Sequence, residues 1–211
     1  MKDELYKMEK EKYEFIHLKE LQYGSKSVRY SWIDDETIEF SKKFNNIMRK
    51  CNNFLDVGCG KGAFIEFFSK KYNKPLSSFL GVDISEAALS RCPKGIKTLN
   101  ASMTDLPLEN QSFDMVIHFD GMEHIPPEVE EEALNNIMRT SKKYVALMIC
   151  TKSSREDPIM RENGYSDLHV NIKTFGQWKN TIEKVMGDYF KMLHIEDYRS
   201  RCLVLLEREK L

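Results

Sequence analysis

Apolar and charged positions alternate with a helical period at the start of the chain. Leu5, Met8, Phe15, Leu18 and Leu21 are spaced by three, four or seven residues, with charges on the remaining face. That pattern predicts an amphipathic helix over residues 2 to 21, with Asp3 and Lys7 as a favourable i,i+4 pair. Tyr23 to Trp32 break the period and concentrate aromatic and basic side chains. Asp34 or Asp35 then caps a helix through about Arg49, with Ile38, Phe44, Ile47 and Met48 as its buried set. From Phe54 onward short apolar runs take turns with helical spacing. Phe54 to Val57 reads as a buried strand, Lys61 through Phe68 as a helix, and Phe79 to Asp83 as a second strand. Ser85 caps a helix to about Arg91, stopped by Pro93, and Ile96 to Leu99 forms a third strand. Phe113 to Phe119 is nearly all apolar, as a parallel strand covered on both faces requires. Pro126-Pro127-Glu128 opens a helix to about Thr140. Tyr144 to Ile149 is a fifth strand. Thr174 caps a helix carrying Trp178, Ile182 and Val185 and ended by Gly187. Tyr189 to Ile195 and Cys202 to Glu207 close the chain as an antiparallel hairpin. Strands alternating with helices predict an α/β fold around a mostly parallel sheet.

The chemistry concentrates where the first strand meets its helix, at Phe54-Leu55-Asp56-Val57-Gly58-Cys59-Gly60-Lys61-Gly62. Glycine is required where a ligand approaches the backbone closely or φ is positive. A dinucleotide loop spaces its glycines G-x-G-x-x-G and keeps negative charge away from the pyrophosphate. Here the spacing is G-x-G-x-G, and Asp56 would repel a pyrophosphate while suiting an ammonium group. Asp83 follows Gly58 by about twenty-five residues, one strand-helix-strand unit, and ends the second strand where a carboxylate can accept from both ribose hydroxyls. An ammonium site beside a ribose site describes S-adenosylmethionine better than NAD.

From about Asn53 to Val145 the chain resembles the class I S-adenosylmethionine-dependent methyltransferases. The Gly-loop, Leu106-Pro107-Leu108, Ser112-Phe113-Asp114-Met115-Val116-Ile117 and Glu123-His124-Ile125 follow in the family's order and spacing. The resemblance implies a Rossmann-like three-layer sandwich whose seven-stranded sheet has one reversed strand in a C-terminal β-hairpin. It divides the chain into a helical extension or lid, residues 1–50, and a cofactor-binding domain, residues 51–211. It places cofactor contacts at Asp56, Gly58, Cys59, Gly60, Gly62, Asp83, Ile84, Ser102, Met103 and His118. Ser102 stands where many relatives carry an Asp that receives the adenine amino group. Segments before the first strand often cover the cofactor in this family. On that basis residues 2 to 21 are either a lid or a packing or dimer helix. Arg29 either pairs with the methionyl carboxylate, with Tyr30 or Trp32 bordering the substrate, or belongs to a surface connection.

A sulfonium methyl is already activated, so the protein has mainly to align a nucleophile behind it and exclude water. Titratable groups gather after the fourth strand, at His118, Asp120, Glu123 and His124, and again at Asp167-Leu168-His169-Val170-Asn171. If the acceptor is a hydroxyl, His124 and His169 are the candidate bases ahead of His118, and Asp120 orients whichever acts. An amine acceptor needs no base.

Composition narrows the class. The 211 residues are one ordinary domain with 41% hydrophobic and 31% charged residues. Thirty-two Lys and Arg against 33 Asp and Glu give a net charge of -1, so no global basic field recruits nucleic acid or anionic lipid. Five cysteines, none in C-x-x-C spacing, read as free thiols and point to neither a disulfide framework nor a zinc site; no metal is expected. No apolar run approaches the roughly 20 residues of a membrane span, and no signal-peptide core follows the N-terminus, so the expected location is the cytoplasm. Relatives that methylate exocyclic base amines or glutamine amides carry Asn-Pro-Pro-Tyr or Asp-Pro-Pro-Tyr after the fourth strand, and the resemblance therefore disfavours those substrates here, where neither segment occurs. The expectation is in-line methyl transfer to a hydroxyl or amine of a small metabolite, sugar or peptide-like natural product, by a monomer or homodimer. The alternatives are a protein or RNA methyltransferase and a non-catalytic S-adenosylmethionine-binding regulatory subunit.

Overall fold

The computed structural model describes residues 2–23, 33–153, 162–165 and 168–209. Helices α1 (Lys2–Tyr23), α2 (Asp35–Lys43) and α3 (Asn45–Lys50) precede strand β1 (Phe54–Val57). Then come α4 (Ala63–Tyr72), β2 (Phe79–Asp83), α5 (Glu86–Leu89), β3 (Lys97–Asn100), β4 (Phe113–Phe119), α6 (Glu130–Thr140) and β5 (Ser141–Cys150). The chain closes with α7 (Phe175–Met186), β6 (Phe190–Tyr198) and β7 (Arg201–Arg208). The seven strands form one sheet in the order β3-β2-β1-β4-β5-β7-β6. β7 runs antiparallel to both β5 and β6 and is the single reversed strand.

Continuous apolar strands follow from burial on both faces. Leu55, Val57, Val116, Val145 and Leu147 point to one core, shared with Ala133, Leu134 and Ile137 of α6 and Trp178 and Ile182 of α7. Phe54, Met115, Ile117, Ala146 and Met148 point to the other, shared with Phe40, Phe44 and Met48 and with Phe64, Ile65 and Phe68 of α4. The period of two along each strand assigns alternate residues to opposite layers. β6 and β7 are joined through Arg199 and Ser200, both at positive φ (48° and 76°), the backbone that a tight hairpin turn requires.

Three expectations are corrected. The helix from Asp34 to Arg49 is two helices, because Phe44 leaves helical geometry at φ -116° and ψ 20°. Asp34 is the cap, accepting from Thr37 N at 2.8 Å. Ile38 is 37% exposed, while Phe40 and Phe44 turn inward. Through Phe40, Phe44 and Met48, α2 and α3 pack into the core. In α1 the expected apolar face is also wrong: Met8 and Leu18 are 64% and 55% exposed, and Lys12, Ile16 and His17 are buried. The physical reason is what α1 packs against. It crosses a polar loop edge, where the Glu14 carboxylate accepts from Ser85 Oγ (2.6 Å), Glu86 N (2.9 Å) and Ala87 N (2.9 Å).

Trp178 is fully buried and its indole N–H has no hydrogen-bond partner among the described residues. Trp178→Ala should cost about 3–5 kcal/mol through the cavity it leaves. Trp178→Phe should cost under about 1.5 kcal/mol, because it also removes a buried unpaired donor worth about 1–3 kcal/mol. Urea unfolding of both variants checks this, and equal losses would contradict it.

Candidate functional site

The carboxyl ends of β1, β2, β4 and β5 lie side by side and carry the loops that hold the chemistry. After β1 the chain turns through Gly58, Gly60 and Gly62, all left-handed at φ 76°, 52° and 77°. Gly58 N and Cys59 N both donate to Val82 O at 2.7 and 3.0 Å, tying the loop to β2. A Cβ on Gly62 would sit 3.0 Å from Ile96 and 3.3 Å from Cys92 Sγ, so this glycine also serves close packing. The helix begins at Ala63, two residues later than its expected start at Lys61.

Asp83 ends β2 beside that loop. Its Oδ2 accepts from Gly60 N at 2.8 Å and its Oδ1 from Ser85 N at 2.9 Å, which orients the carboxylate over the turn. Asn100, which sequence reasoning passed over, donates from Nδ2 to Asp83 O (3.0 Å) and Ile84 O (2.8 Å) and fixes the backbone around half-buried Ile84. Ser102 uses its hydroxyl in a local turn with Thr104, at 2.8 Å to Oγ1 and 3.2 Å to N. The Met103 methyl comes within 4.0 Å of where a Cβ on Gly58 would stand, so Met103 faces the first loop glycine.

Asp56 is 1% exposed, and neither carboxylate oxygen has a hydrogen-bond partner among the described residues. Burial, then the Asp83 carboxylate and Cys92, push its pKa up to about 8. A buried carboxyl without donors is costly unless something fills its lone pairs. His118 is a wedge between two loops. Its Nδ1 donates to Val57 O at 2.7 Å, and a Cβ on Gly121 would fall 2.5 Å from its ring. Burial lowers its pKa to about 4 and keeps it neutral.

On the β4 side Asp120 holds a left-handed conformation, φ 51°. Both its oxygens are gripped by Arg201, Nε–Oδ1 and Nη2–Oδ2 each at 3.0 Å, and Arg201 Nη1 donates to Asp34 Oδ2 at 2.6 Å. The carboxylate of Asp120, expected to orient a histidine, is held by an arginine. No sequence signal marks Arg201, since only the hairpin brings residue 201 to residue 120. Glu123 is 1% exposed, its Oε2 has no partner among the described residues, and burial followed by Asp120 raises its carboxyl pKa well above the usual range.

The two polar segments expected to face substrate do meet. Asn171 N donates to Glu123 O at 3.0 Å, and the rings of His124 and His169 stand edge to face at 4.8 Å. His124 Nδ1 donates to Leu168 O at 2.9 Å, and His169 Nδ1 to Lys152 O at 2.6 Å. Burial, then His169, drive the His124 pKa down to about 3, so this imidazole is a poor proton acceptor. α1 spans the whole edge: Glu14 holds Ser85 at one end, while Tyr13 meets His124 edge-on at 5.9 Å and Ile16 packs with Leu168 at the other. Arg29, Tyr30, Trp32 and Asp167 lie outside the described residues.

A parallel sheet with a glycine loop after β1 and an acidic end to β2 is the arrangement in which α/β domains bind nucleosides. Residues 54–143 match the family model of the methyltransferase domain. Carboxy-S-adenosyl-L-methionine synthase of Pasteurella multocida is 26% identical over 156 residues, 64% of this chain; the match spans 62% of that relative's length. Magnesium protoporphyrin IX methyltransferase from Synechocystis, solved with S-adenosylhomocysteine bound, superposes with a TM-score of 0.62 at 13% identity, over 95% of this chain and 100% of that one. A Mesorhizobium loti S-adenosylmethionine-dependent methyltransferase gives 0.61 at 16% identity, over 82% and 97%. The chain thus shares the fold of the S-adenosylmethionine-dependent methyltransferases, and its residues 54–143 are similar to a methyltransferase domain.

With a pKa near 8, Asp56 is mostly protonated at pH 7 in the free protein. An ammonium group placed against it favours the ionised form, so binding at pH 7 should release close to one proton. The sign for stability is set by the same shift. Below the unfolded value Asp56 is neutral in both states, and between about 4 and 8 ionisation of the unfolded chain draws stability away as pH rises. Calorimetry of S-adenosylhomocysteine binding in buffers of different ionisation enthalpy measures the proton. Asp56→Asn should abolish the release and flatten the loss of stability; buffer-independent heat in the parent would contradict the assignment.

Proposed function

We propose that the protein transfers the methyl group of S-adenosylmethionine in line to a hydroxyl or amine of a small molecule, such as a metabolite, a sugar or a peptide-like natural product. The observation that carries this reading is α1 lying across the carboxyl edge of the sheet, from Ser85 and Ala87 to His124 and Leu168. A covered edge suits a small acceptor better than a protein or RNA, which needs an open docking surface. The cofactor lies along the β1 and β2 ends. Its ammonium faces Asp56, its ribose Asp83, and its remaining contacts come from Gly58, Cys59, Gly60, Gly62, Ile84, Ser102 and Met103, with His118 supporting the loop from below. Free thiols at all five cysteines suit a reducing cytoplasm.

The acceptor occupies the β4 and β5 side, against Glu123 and His169. Arg201 is already paired with Asp34 and Asp120, and burial holds Glu123 toward its neutral acid. With its arginine committed, this side suits a neutral or cationic acceptor better than an anionic one. His124, driven down to about 3, packs the wall, so the proton of a hydroxyl acceptor is handled by the group around Glu123.

Incubation with methyl-labelled S-adenosylmethionine and fractionated small-molecule extract should move label into one fraction. Label found in macromolecules alone would overturn the reading. With that acceptor, Glu123→Gln should lose about a hundredfold or more in single-turnover rate. His124→Asn, which keeps a donor for Leu168 O, should stay near the parent.

The cover is tested separately. Hydrogen exchange with S-adenosylhomocysteine bound should protect residues 9 to 19 of α1 together with the Gly-loop. Protection confined to the Gly-loop and β2 would make α1 a packing element.

A further inference from the structure

We propose that Glu123, Cys150 and His169 form a divalent metal site, suited to zinc, beside the methyl acceptor. Glu123 lies in the turn after β4, Cys150 is the last residue of β5, and His169 sits in the segment leading to α7. One ligand atom from each residue lies within 4.8 Å of those of the other two. β4 and β5 are hydrogen-bonded neighbours paired through Phe119 and Met148, so their ends arrive together. The Asn171 N to Glu123 O bond pins the third segment against them. In the chain the three residues are far apart and match no zinc spacing, which is why the sequence points to no such site.

The donor types select the ion. A thiolate, an imidazole and a carboxylate form a set typical of zinc, whereas magnesium and calcium prefer oxygen donors. Three protein ligands leave the fourth tetrahedral position open, the arrangement of reactive rather than purely structural zinc. Ligands about 2.0–2.3 Å from zinc stand roughly 3.3–3.8 Å apart in a tetrahedron, so the set must draw in by about an ångström.

Two further observations point to a ligand here. Glu123 Oε2 is buried and has no partner among the described residues, and such an oxygen needs an explanation that a bound cation supplies. The His169 ring donates Nδ1–H to Lys152 O at 2.6 Å, which puts the lone pair on Nε2. Metal-bound histidines are commonly oriented through such a backbone carbonyl. The Cys150 thiol points to the same carbonyl, Sγ to O 3.7 Å. The nearby Arg201 cation is balanced by Asp34 and Asp120 and does not oppose a second positive charge.

The metal site stands without the methyl-transfer reading; its role toward the acceptor rests on that reading. There, the open position selects acceptors whose hydroxyl or thiol can ligate zinc, and a bound hydroxyl would become easier to deprotonate.

The test uses the full chain stripped by chelator and titrated with Co²⁺. The expected result is one equivalent bound with the visible absorption of a tetrahedral ion and a near-ultraviolet thiolate-to-cobalt band, both displaced by Zn²⁺. Cys150→Ser should remove the thiolate band. Glu123→Gln and His169→Ala should each weaken binding by about tenfold or more. Cys92→Ser should leave the spectrum unchanged, and retained S-adenosylhomocysteine affinity reports that each variant is folded. Absence of the band in the parent, or its survival in Cys150→Ser, would overturn the proposal whether or not an acceptor has been found.

Discussion

The hydrogen bond from Gly60 N to Asp83 Oδ2 joins the two strand ends on which the remainder of the site is built. It ties a glycine turn with three left-handed residues to the carboxylate that closes the neighbouring strand. The same carboxylate caps Ser85 N, and Ser85 Oγ in turn donates to Glu14 of α1. One acidic side chain thus connects the loop, the second strand end and the helix across the edge. Each bond to the charged group is worth about 1.5–3 kcal/mol, comparable to a sizeable part of a domain's net stability.

Around this frame the protein keeps polar groups buried without partners, against the general tendency to satisfy them. Asp56 on β1 and Glu123 after the neighbouring β4 are both buried, and no described residue serves either Asp56 oxygen or Glu123 Oε2. Glu123 is pushed strongly toward the neutral acid and Asp56 is held near 8. Uncompensated burial of this kind lowers the stability of the free protein and is recovered when a ligand supplies the missing charge or donor. Asp120 is a different case, because Arg201 already answers it with two bonds. The distinction separates carboxylates that brace the scaffold from those poised for a ligand.

Three histidines show how environment decides function. His118, His124 and His169 are the same residue type, and each donates Nδ1 to a backbone carbonyl. Burial takes the first two down to about 4 and about 3, leaving them as packing and orienting groups. His169 stands nearer solvent, next to Glu123 and Cys150, where an imidazole lone pair has a use.

Local rules determined much of this protein. Apolar runs of strand length, glycines with a fixed spacing, and caps such as Asp34, Ser85 and Thr174 specified the alternation of elements, the loop after β1 and the reversed hairpin strand. These features depend on neighbouring residues, so they are legible in order along the chain. Tertiary structure decided the rest. Which face of α1 is buried depended on the polar edge it crosses, which is why Lys12 and His17 are covered and Met8 is not. Phe44 broke a predicted helix because the core needed its ring. Arg201 reached Asp120 across 81 positions, and Glu123, Cys150 and His169 converged from three loops. Side-chain chemistry of that kind depends on distances set by sheet order, and spacing along the sequence does not encode them.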